Sequence, residues 1–396
     1  MPSKMSITPR EVRQLYYISH IDNLPSIVLN GILSHEEIKR RGIPFTPIYD
    51  EGIVNSRAHR ETPAGNSLWK YANVYFQARN PMMYRVALEK NKSDIAVVGV
   101  KKTVLSQKGI FVTDGNAASS DTKFYPSEEV QKMLPRIAKE TSKEWWNTID
   151  GSKRRIMAEC LIPNSIEPEY VEEIIVVNHQ VAERVRSRLA TNFDVVPNAE
   201  MFFEPGRRSD LTQNLSILDG DMFFSRMQTL TVSVNVVGVM GKGLASRAKY
   251  QFPDVYVKYQ DVCRNKSLSL GKPFFYRRGS SLDYELADDP TSLTSANGET
   301  WFILFATKRH WREEADISAI EEGLKYIVEK YRYWEIKSLA LPALGCGLGG
   351  LDWKEVGPLM CKYMSQLNIP VQIYLPAEKH VSNEQISKSF LLQGRL

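Results

Sequence analysis

The order of apolar and polar positions divides the 396-residue chain into two stretches of different rhythm. In the first, QLYYIS (14–19), NVYF (73–76), DIAVVGVKKTVL (94–105), RRIMAECLIP (154–163) and VEEIIVVN (171–178) alternate or run apolar over strand lengths. GIFVTDGNAASSDTKFY (109–125) reads as a strand followed by a long polar loop. HIDNLPSIVLNGIL predicts a short helix, with Asp22 and Asn23 at its start and Gly31 at its end. QVAERVRSRLA (180–190) predicts another. Strands outnumber long helices, which is the signature of an α+β domain.

TNFDVVPNAEMFFEPGRRSD (191–210) breaks the periodicity with Pro and Gly, so a boundary is expected there. The expected division is a domain over 1–195, a linker over 196–209, a second domain over 210–380 and a tail over 381–396. Beyond the boundary, LSILDGDMF, TVSVNVVGVM, TWFILFAT, KSLALPAL and PVQIYLP read as strands. Helical patterns at 317–331 and 353–367 lie between them, which predicts an α/β layered sheet.

Composition changes this picture little. A chain of this length exceeds one hydrophobic core, in keeping with two domains. The net charge of +5 permits a nucleic-acid partner without demanding one. No apolar run reaches the length of a membrane span, and MPSKMSITPREVRQLYY lacks the apolar core of a secretory signal. Cys160, Cys263, Cys346 and Cys361 are scattered, as expected of reduced thiols in cytoplasm. The six histidines show no ligand spacing, so no metal is expected.

Candidate chemistry is concentrated in two glycine loops. VNVVGVMGKGLA runs from an apolar strand through Gly238, Gly241 and Gly243 into a helical pattern. Such a loop offers backbone amides and a helix N-terminus to an anion. It is not a P-loop, because Lys242 is followed by Gly243. LPALGCGLGGLDW (341–353) repeats the arrangement after a later strand. Two such loops at the strand ends of one sheet can grip a pyrophosphate from both sides.

ILDGDMF, VNVVGVMGKGLA, FATKRHW and LPALGCGLGGLDW together resemble the macrodomain, an ADP-ribose-binding module, and more narrowly the ADP-ribosyl hydrolases of the DarG antitoxin type. The resemblance implies that Asp221 holds the adenine amino group and that Asn235 lies near the distal ribose. It assigns the diphosphate to Gly238, Val239, Met240, Gly241 and Gly243 on one side and to Gly345, Cys346, Gly347, Leu348 and Gly349 on the other. Lys308 matches the catalytic lysine of that group. A lysine amine can attack an anomeric carbon or hold an opened ribose as a Schiff base. Without the resemblance, Lys308 reads as a solvated lysine and Asp221 as a turn residue.

In the first stretch, Glu159 interrupts an apolar strand. A glutamate there either faces water at a strand edge or lines a cleft. Cleavage of the nicotinamide–ribose bond of NAD passes through an oxocarbenium-like state that wants a carboxylate beside it. QLYYISHIDNLPSIVLNGIL, GIVNSRAHR, NVYFQARNPMMY, FVTDGNAASSDTKFY and RRIMAECLIP resemble, in this order, the DarT family of NAD-dependent transferases that ADP-ribosylate bases in single-stranded DNA. The implied fold is the ADP-ribosyltransferase α+β fold, followed by an α/β macrodomain whose mixed sheet lies between helices. By resemblance Glu159 is the transferase glutamate and Arg57, with Arg60 as near competitor, the arginine beside it. Tyr17, Ser19, His20, Asn23 and Tyr75 are expected to bind NAD, which is a substrate here; Tyr17 stands where the family often has histidine. The loop containing Asn116 and Lys123, with Arg154 and Arg155, is expected to hold the DNA strand. For the two arginines, an exposed charged edge is an equal reading.

The expectation is therefore a fused toxin and antitoxin: one domain attaches ADP-ribose to a DNA base, thymine before guanine, and the other removes it. Contact between the two domains within the chain is expected. The alternatives are a macrodomain that only reads or masks, and a transferase that acts on RNA or protein, since transferase folds are shared across acceptors.

Overall fold

The computed structural model describes residues 12–49, 51–189 and 193–392. Ala190, at the end of a predicted helix, and Thr191 and Asn192, at the predicted boundary, lie outside them, as do residues 393–396 of the predicted tail. The chain divides into one unit of Met1–Phe203 with Asp283–Ser295, and a second of Glu204–Leu282 with Ala296–Leu396.

The first unit is built on an eight-stranded sheet. Its strands are β1 (Gln14–His20), β2 (Tyr71–Tyr75), β3 (Ile95–Lys101), β4 (Phe111–Thr113), β5 (Phe124–Pro126), β6 (Glu159–Pro163), β7 (Val171–Val176) and β8 (Asp194–Pro197). The order is β8-β7-β3-β1-β2-β6-β4-β5, antiparallel except for the β8–β7 edge. In β3, Ile95, Ala96, Val97 and Val98 are all fully buried, so the strand is covered on both faces and reads as a run rather than an alternation. α1 (Leu24–Asn30) ends at Gly31, whose φ of 76° closes the helix as expected. Asn23 does not cap it with its side chain. α2 (His35–Arg41), α3 (Glu51–Ala58) and α4 (Pro81–Glu89) follow.

Two features of this unit bear on the sequence reading. Residues 152–155 form a helical turn, not the start of a strand: Ile156 N–H closes on the Ser152 carbonyl at 2.9 Å, and β6 begins only at Glu159. The strand is also wholly buried from Glu159 to Ile162, so Glu159 does not face water at a strand edge.

In addition, Asp283–Ser295 belongs to the first unit. There Tyr84 Oη donates to Asp283 Oδ1 at 2.6 Å, Arg85 Nε to Asp288 Oδ1 at 2.7 Å, and Trp146 Nε1 to the Leu286 carbonyl at 2.9 Å.

The second unit has a seven-stranded mixed sheet. Its strands are β9 (Arg207–Asp210), β10 (Leu215–Asp219), β11 (Thr229–Asn235), β12 (Phe274–Tyr276), β13 (Trp301–Lys308), β14 (Leu339–Pro342) and β15 (Val371–Tyr374). The order is β9-β10-β15-β14-β11-β13-β12, parallel inside and antiparallel at both edges. α5 (Gly243–Gln251) follows β11, α6 (Ile317–Lys330) follows β13, and α7 (Trp353–Met364) follows β14. The expected linker over 196–209 is not a free connector, because β8 and β9 draw its two ends into the two sheets. The expected tail packs instead of trailing: Val381, Ile386 and Leu391 join the core, and Trp353 Nε1 donates to the Gln385 carbonyl at 3.1 Å.

Candidate active sites

β6 lies between β2 and β4 and carries Glu159 at its first position, register-paired with Tyr75. The side chain of Glu159 is 0% exposed, and four donors fix its carboxylate. Arg57 Nη1 and Nη2, from α3, reach its two oxygens at 3.2 and 2.8 Å. Asn73 Nδ2, from β2, donates at 3.1 Å, and the Ala117 amide at 2.9 Å. Thr113 secures the backbone: its hydroxyl accepts from Glu159 N–H at 2.9 Å. A charge removed from water to this degree needs such partners. Burial pulls the Arg57 guanidinium pKa down, but the Glu159 carboxylate, with Tyr75 and Tyr49, lifts it above its ordinary value. Burial, and then Glu159, raises the Tyr75 phenol, so it stays protonated.

The remaining predicted residues of this unit fall into two groups. Burial lifts the Tyr17 phenol to about 12; Tyr17 lies within electrostatic reach of Tyr49, and Tyr49 of Arg57. Ser19 is buried and accepts from Asn23 Nδ2 at 3.2 Å. Asn23 also exchanges two hydrogen bonds of 2.8 Å with the Thr46 backbone, which pins the segment after α2. His20 Nδ1 accepts from Asp22 N–H at 3.1 Å and so caps the turn before α1.

In the loop after β4, Asn116 Oδ1 accepts from Ala118 N–H at 2.9 Å, and Lys123 is exposed. Arg154 and Arg155 do not present free guanidinium groups as a phosphate-binding edge would. Arg154 pairs with Asp114 at 2.8 Å and reaches Thr122 at 2.9 Å, while Arg155 pairs with Glu140 at 2.8 Å. Arg154 thereby braces the loop after β4, whereas Arg155 ties residue 140 to the turn at 150, its Nη1 donating to the Asp150 carbonyl at 2.8 Å. Arg60, the competitor of Arg57, points to the Ser119 carbonyl at 3.4 Å.

Sequence reading missed Asn73, although a polar residue inside the apolar NVYF strand was its signal. It also missed an aromatic group close to Arg57. His35 stacks on Trp69, with ring centroids 5.4 Å apart, and its Nε2 meets Tyr49 Oη at 3.0 Å. Burial, and then the charges of Arg57 and Lys39, holds the His35 imidazole down at about 4, hence neutral near pH 7.

The second unit brings its two glycine loops together. A register shift at the end of β11 sets Asn235 opposite Lys308 of β13. Lys308 Nζ donates to the Glu313 carbonyl at 2.8 Å and to the Leu348 carbonyl, inside the 345–350 loop, at 3.1 Å. Burial lowers its pKa from the ordinary lysine value, against the pull of Glu313 and Glu314. Asn235 shapes the first loop: Nδ2 donates to the Val239 carbonyl at 2.7 Å, while Oδ1 accepts from Val237 N–H at 3.0 Å and from Tyr259 Oη at 2.9 Å.

Met240 is buried, whereas Gly238 and Val239 stand nearer the surface and Gly241 and Gly243 are exposed. Gly243 opens α5 with φ of 58°, and a Cβ there would stand 3.1 Å from Leu348 Cδ1. A Cβ at Gly349 would stand 2.5 Å from the Gly345 carbonyl oxygen, so the second turn closes only without one. Gly347 is half-buried and Leu348 60% exposed at the loop tip. Cys346 is buried, and burial raises its thiol to about 12, so the thiol stays protonated near pH 7. Asp221 Oδ1 accepts from Phe223 N–H at 3.1 Å, and Oδ2 pairs with Arg247 of α5 at 2.7 Å. Arg247, whose guanidinium lies over Phe223 and Phe224, was not anticipated.

Among the described residues, no group of three His, Cys, Asp or Glu could hold a metal ion, and no helix is long and apolar enough to cross a membrane.

Comparisons with known proteins bear on the family and the fold. Residues 16–203 match the family described as "ssDNA thymidine ADP-ribosyltransferase, DarT", and residues 292–360 match the macro domain. A DNA ADP-ribosyl transferase–DNA ADP-ribosyl glycohydrolase fusion protein of Thermosipho africanus is 55% identical over 384 residues, covering 96% of this chain and 99% of the relative. The solved structure of Thermosipho africanus DarTG in complex with ADP-ribose superposes with a TM-score of 0.90 at 54% identity, covering 96% of this chain and 100% of that one. A DNA ADP-ribosyl glycohydrolase of Thermus aquaticus is 34% identical over 165 residues, 41% of this chain and 42% of the relative.

Proposed function

The chain belongs to the family of fused DarT–DarG proteins, and on that premise we propose that Glu159 and Arg57 transfer ADP-ribose from NAD to thymine in single-stranded DNA and that Lys308 removes it. The observation that carries the transferase assignment is the buried Glu159–Arg57 pair, to which Asn73 and the Ala117 amide add two more donors. A purely structural ion pair is seldom worth its desolvation, so a carboxylate so thoroughly held is better explained by chemistry.

NAD fits the unit as a substrate. Glu159 sets a fixed negative charge beside the ribose carbon as the nicotinamide bond breaks. Arg57 supplies a cation for a phosphate or for the oxygen of the acceptor base, and the protonated Tyr75 offers a phenol on the same strand pair. Tyr17 and Ser19 remain the candidates for the nicotinamide ribose, whereas His20 and Asn23 support the backbone around it.

In the second unit, the facing loops at 238–243 and 345–350 take the diphosphate, and Asp221, steadied by Arg247, accepts the adenine amino group. Lys308, with its lowered pKa, has more free amine near neutrality than an ordinary lysine. Attack on the anomeric carbon, or capture of the opened ribose as a Schiff base, releases the thymine; water then frees the amine.

The test follows label from NAD onto a mixed-sequence single-stranded oligonucleotide with wild type, Glu159→Ala and Lys308→Ala. Label accumulates with Lys308→Ala, stays low with wild type and is absent with Glu159→Ala. Equal labelling by wild type and Lys308→Ala would make the macrodomain a reader. No labelling by any variant would move the acceptor to RNA or protein.

A further inference from the structure

The residues that follow Lys308 leave an aromatic ring exposed at the edge of the second site. Arg309, His310, Trp311 and Arg312 form a turn whose position is fixed from three sides. Lys308 Nζ bonds to the Glu313 carbonyl at its far end and to Leu348 in the second glycine loop. The Arg309 carbonyl accepts from Val236 N–H, at the start of the first glycine loop, at 3.3 Å. Arg312 N–H donates to His310 Nδ1 at 3.3 Å. The turn therefore borders both loops that would hold ADP-ribose.

On this rigid turn Trp311 is 50% exposed, an unusual position for the largest apolar side chain. The His310 ring lies 5.1 Å from it and the Arg312 guanidinium lies over one face at 4.5 Å, which holds the indole in place while half of its surface stays exposed. Among the described residues, neither Arg309 nor Arg312 takes part in an ion pair. The acidic groups of the same turn are Glu313, whose Oε2 accepts from His310 N–H at 3.3 Å, and the exposed Glu314. An aromatic platform flanked by the exposed Arg309, with Arg312 stacked on one face and in no ion pair among the described residues, suits a single strand of nucleic acid: a base stacks on the open part of the ring and phosphates meet the cations.

We propose that Trp311, with Arg309 and Arg312, is the DNA-strand platform of the hydrolase, where a base neighbouring the ADP-ribosylated one stacks while Lys308 acts at the ribose. This rests on the hydrolase reading above and extends it from the ADP-ribose to the strand that carries it. The glycine loops recognise the adduct, and the platform distinguishes an adduct on a strand from free ADP-ribosyl nucleoside.

The full chain carrying Glu159→Ala, which cannot re-attach label, serves for the test. Two synthetic substrates are compared: a single-stranded oligonucleotide with one ADP-ribosylated thymine, and the ADP-ribosylated nucleoside alone. Trp311→Ala is expected to lower kcat/KM on the oligonucleotide roughly tenfold more than on the nucleoside, as loss of one stacked base would. Trp311→Phe keeps most of the preference. The pair Arg309→Gln and Arg312→Gln lowers the salt dependence on the oligonucleotide, by about 0.7 in the log–log slope for each phosphate no longer neutralised. Equal losses on both substrates, or none, would overturn the platform. If the Glu159→Ala chain releases ADP-ribose from neither substrate, the hydrolase reading itself falls, and the platform with it.

Discussion

Arg57 and Glu159 are 102 positions apart in sequence, and their side chains meet at 2.8 Å with the carboxylate fully buried. The pair joins a helix that precedes β2 to the strand inserted between β2 and β4. Folding thus places a guanidinium on a carboxylate that the apolar strand around it would otherwise leave unpaired.

Removing one member of this pair should separate stability from activity. Arg57→Ala leaves a buried carboxylate with only Asn73 and an amide, and should cost about 3–5 kcal/mol in thermal or denaturant unfolding. Glu159→Gln keeps the shape and a carbonyl for Arg57, so the fold should lose less while labelling of DNA, read in chains that also carry Lys308→Ala, falls on the order of 10²–10³-fold. Replacing both by apolar residues of similar volume should recover stability and leave transfer at background. Activity returning with stability in that double variant would reduce the pair to a structural role.

Hydrolysis should report the lowered pKa of Lys308. Its free amine is the reactive form, so the rate should rise with pH and level off below the pH at which an ordinary lysine would, because burial disfavours its charge. Glu313 and Glu314 oppose that shift. Glu313→Gln retains the backbone carbonyl that Lys308 uses and should move the rising limb to lower pH. A pH profile of kcat/KM for the two chains checks the sign; a limb that moves upward, or does not move, contradicts the role of the free amine.

How much of this was legible in the sequence depended on the range of the interaction. β1, β2, β3, β7 and the parallel strands of the second unit were read from local runs of apolar residues, and the glycine loops from local backbone needs. Glu159 stood out as a charge in an apolar strand. Of its partners, Arg57 was anticipated by resemblance, but the contacts of Asn73 and the Ala117 amide were not, because they meet it only through sheet register and loop closure. Arg154 and Arg155 read by composition equally as a phosphate-binding pair or an exposed charged edge; their ion pairs with Asp114 and Glu140 form only on folding and gave no signal. His35 and Tyr49, at the ends of a polar stretch, gave no periodic signal at all.

The segment Asp283–Ser295 was equally hidden, since it lies far along the chain from the unit that it completes. Arg85 and Asp288 are 3% and 11% exposed, and they meet at 2.7 Å. Arg85→Ala should therefore strand a largely buried carboxylate and cost about 3–5 kcal/mol. A chain cut after residue 203 should melt earlier than the full-length protein, since Tyr84 and Trp146 lose their Asp283 and Leu286 partners. Calorimetry on the full chain, its Arg85→Ala variant and the truncated chain checks this; equal transitions would show that the segment adds nothing to the first unit.

Asp221 provides the clearest ligand prediction. Its carboxylate is divided between the Phe223 amide and Arg247, and the arginine in turn rests on two phenylalanine rings. The arrangement fixes the direction of the carboxylate before ligand arrives, so little entropy remains to be lost on binding. Asp221→Ala should weaken ADP-ribose binding by about 1.5–3 kcal/mol, the value of a hydrogen bond to a charged group. Arg247→Ala should weaken it less, because the acceptor survives and only its orientation is lost. Titration calorimetry with ADP-ribose, on chains carrying Glu159→Ala so that NAD chemistry is silent, distinguishes the two. If Arg247→Ala is the more damaging, the guanidinium rather than the carboxylate meets the ligand, and the adenine assignment of Asp221 must be given up.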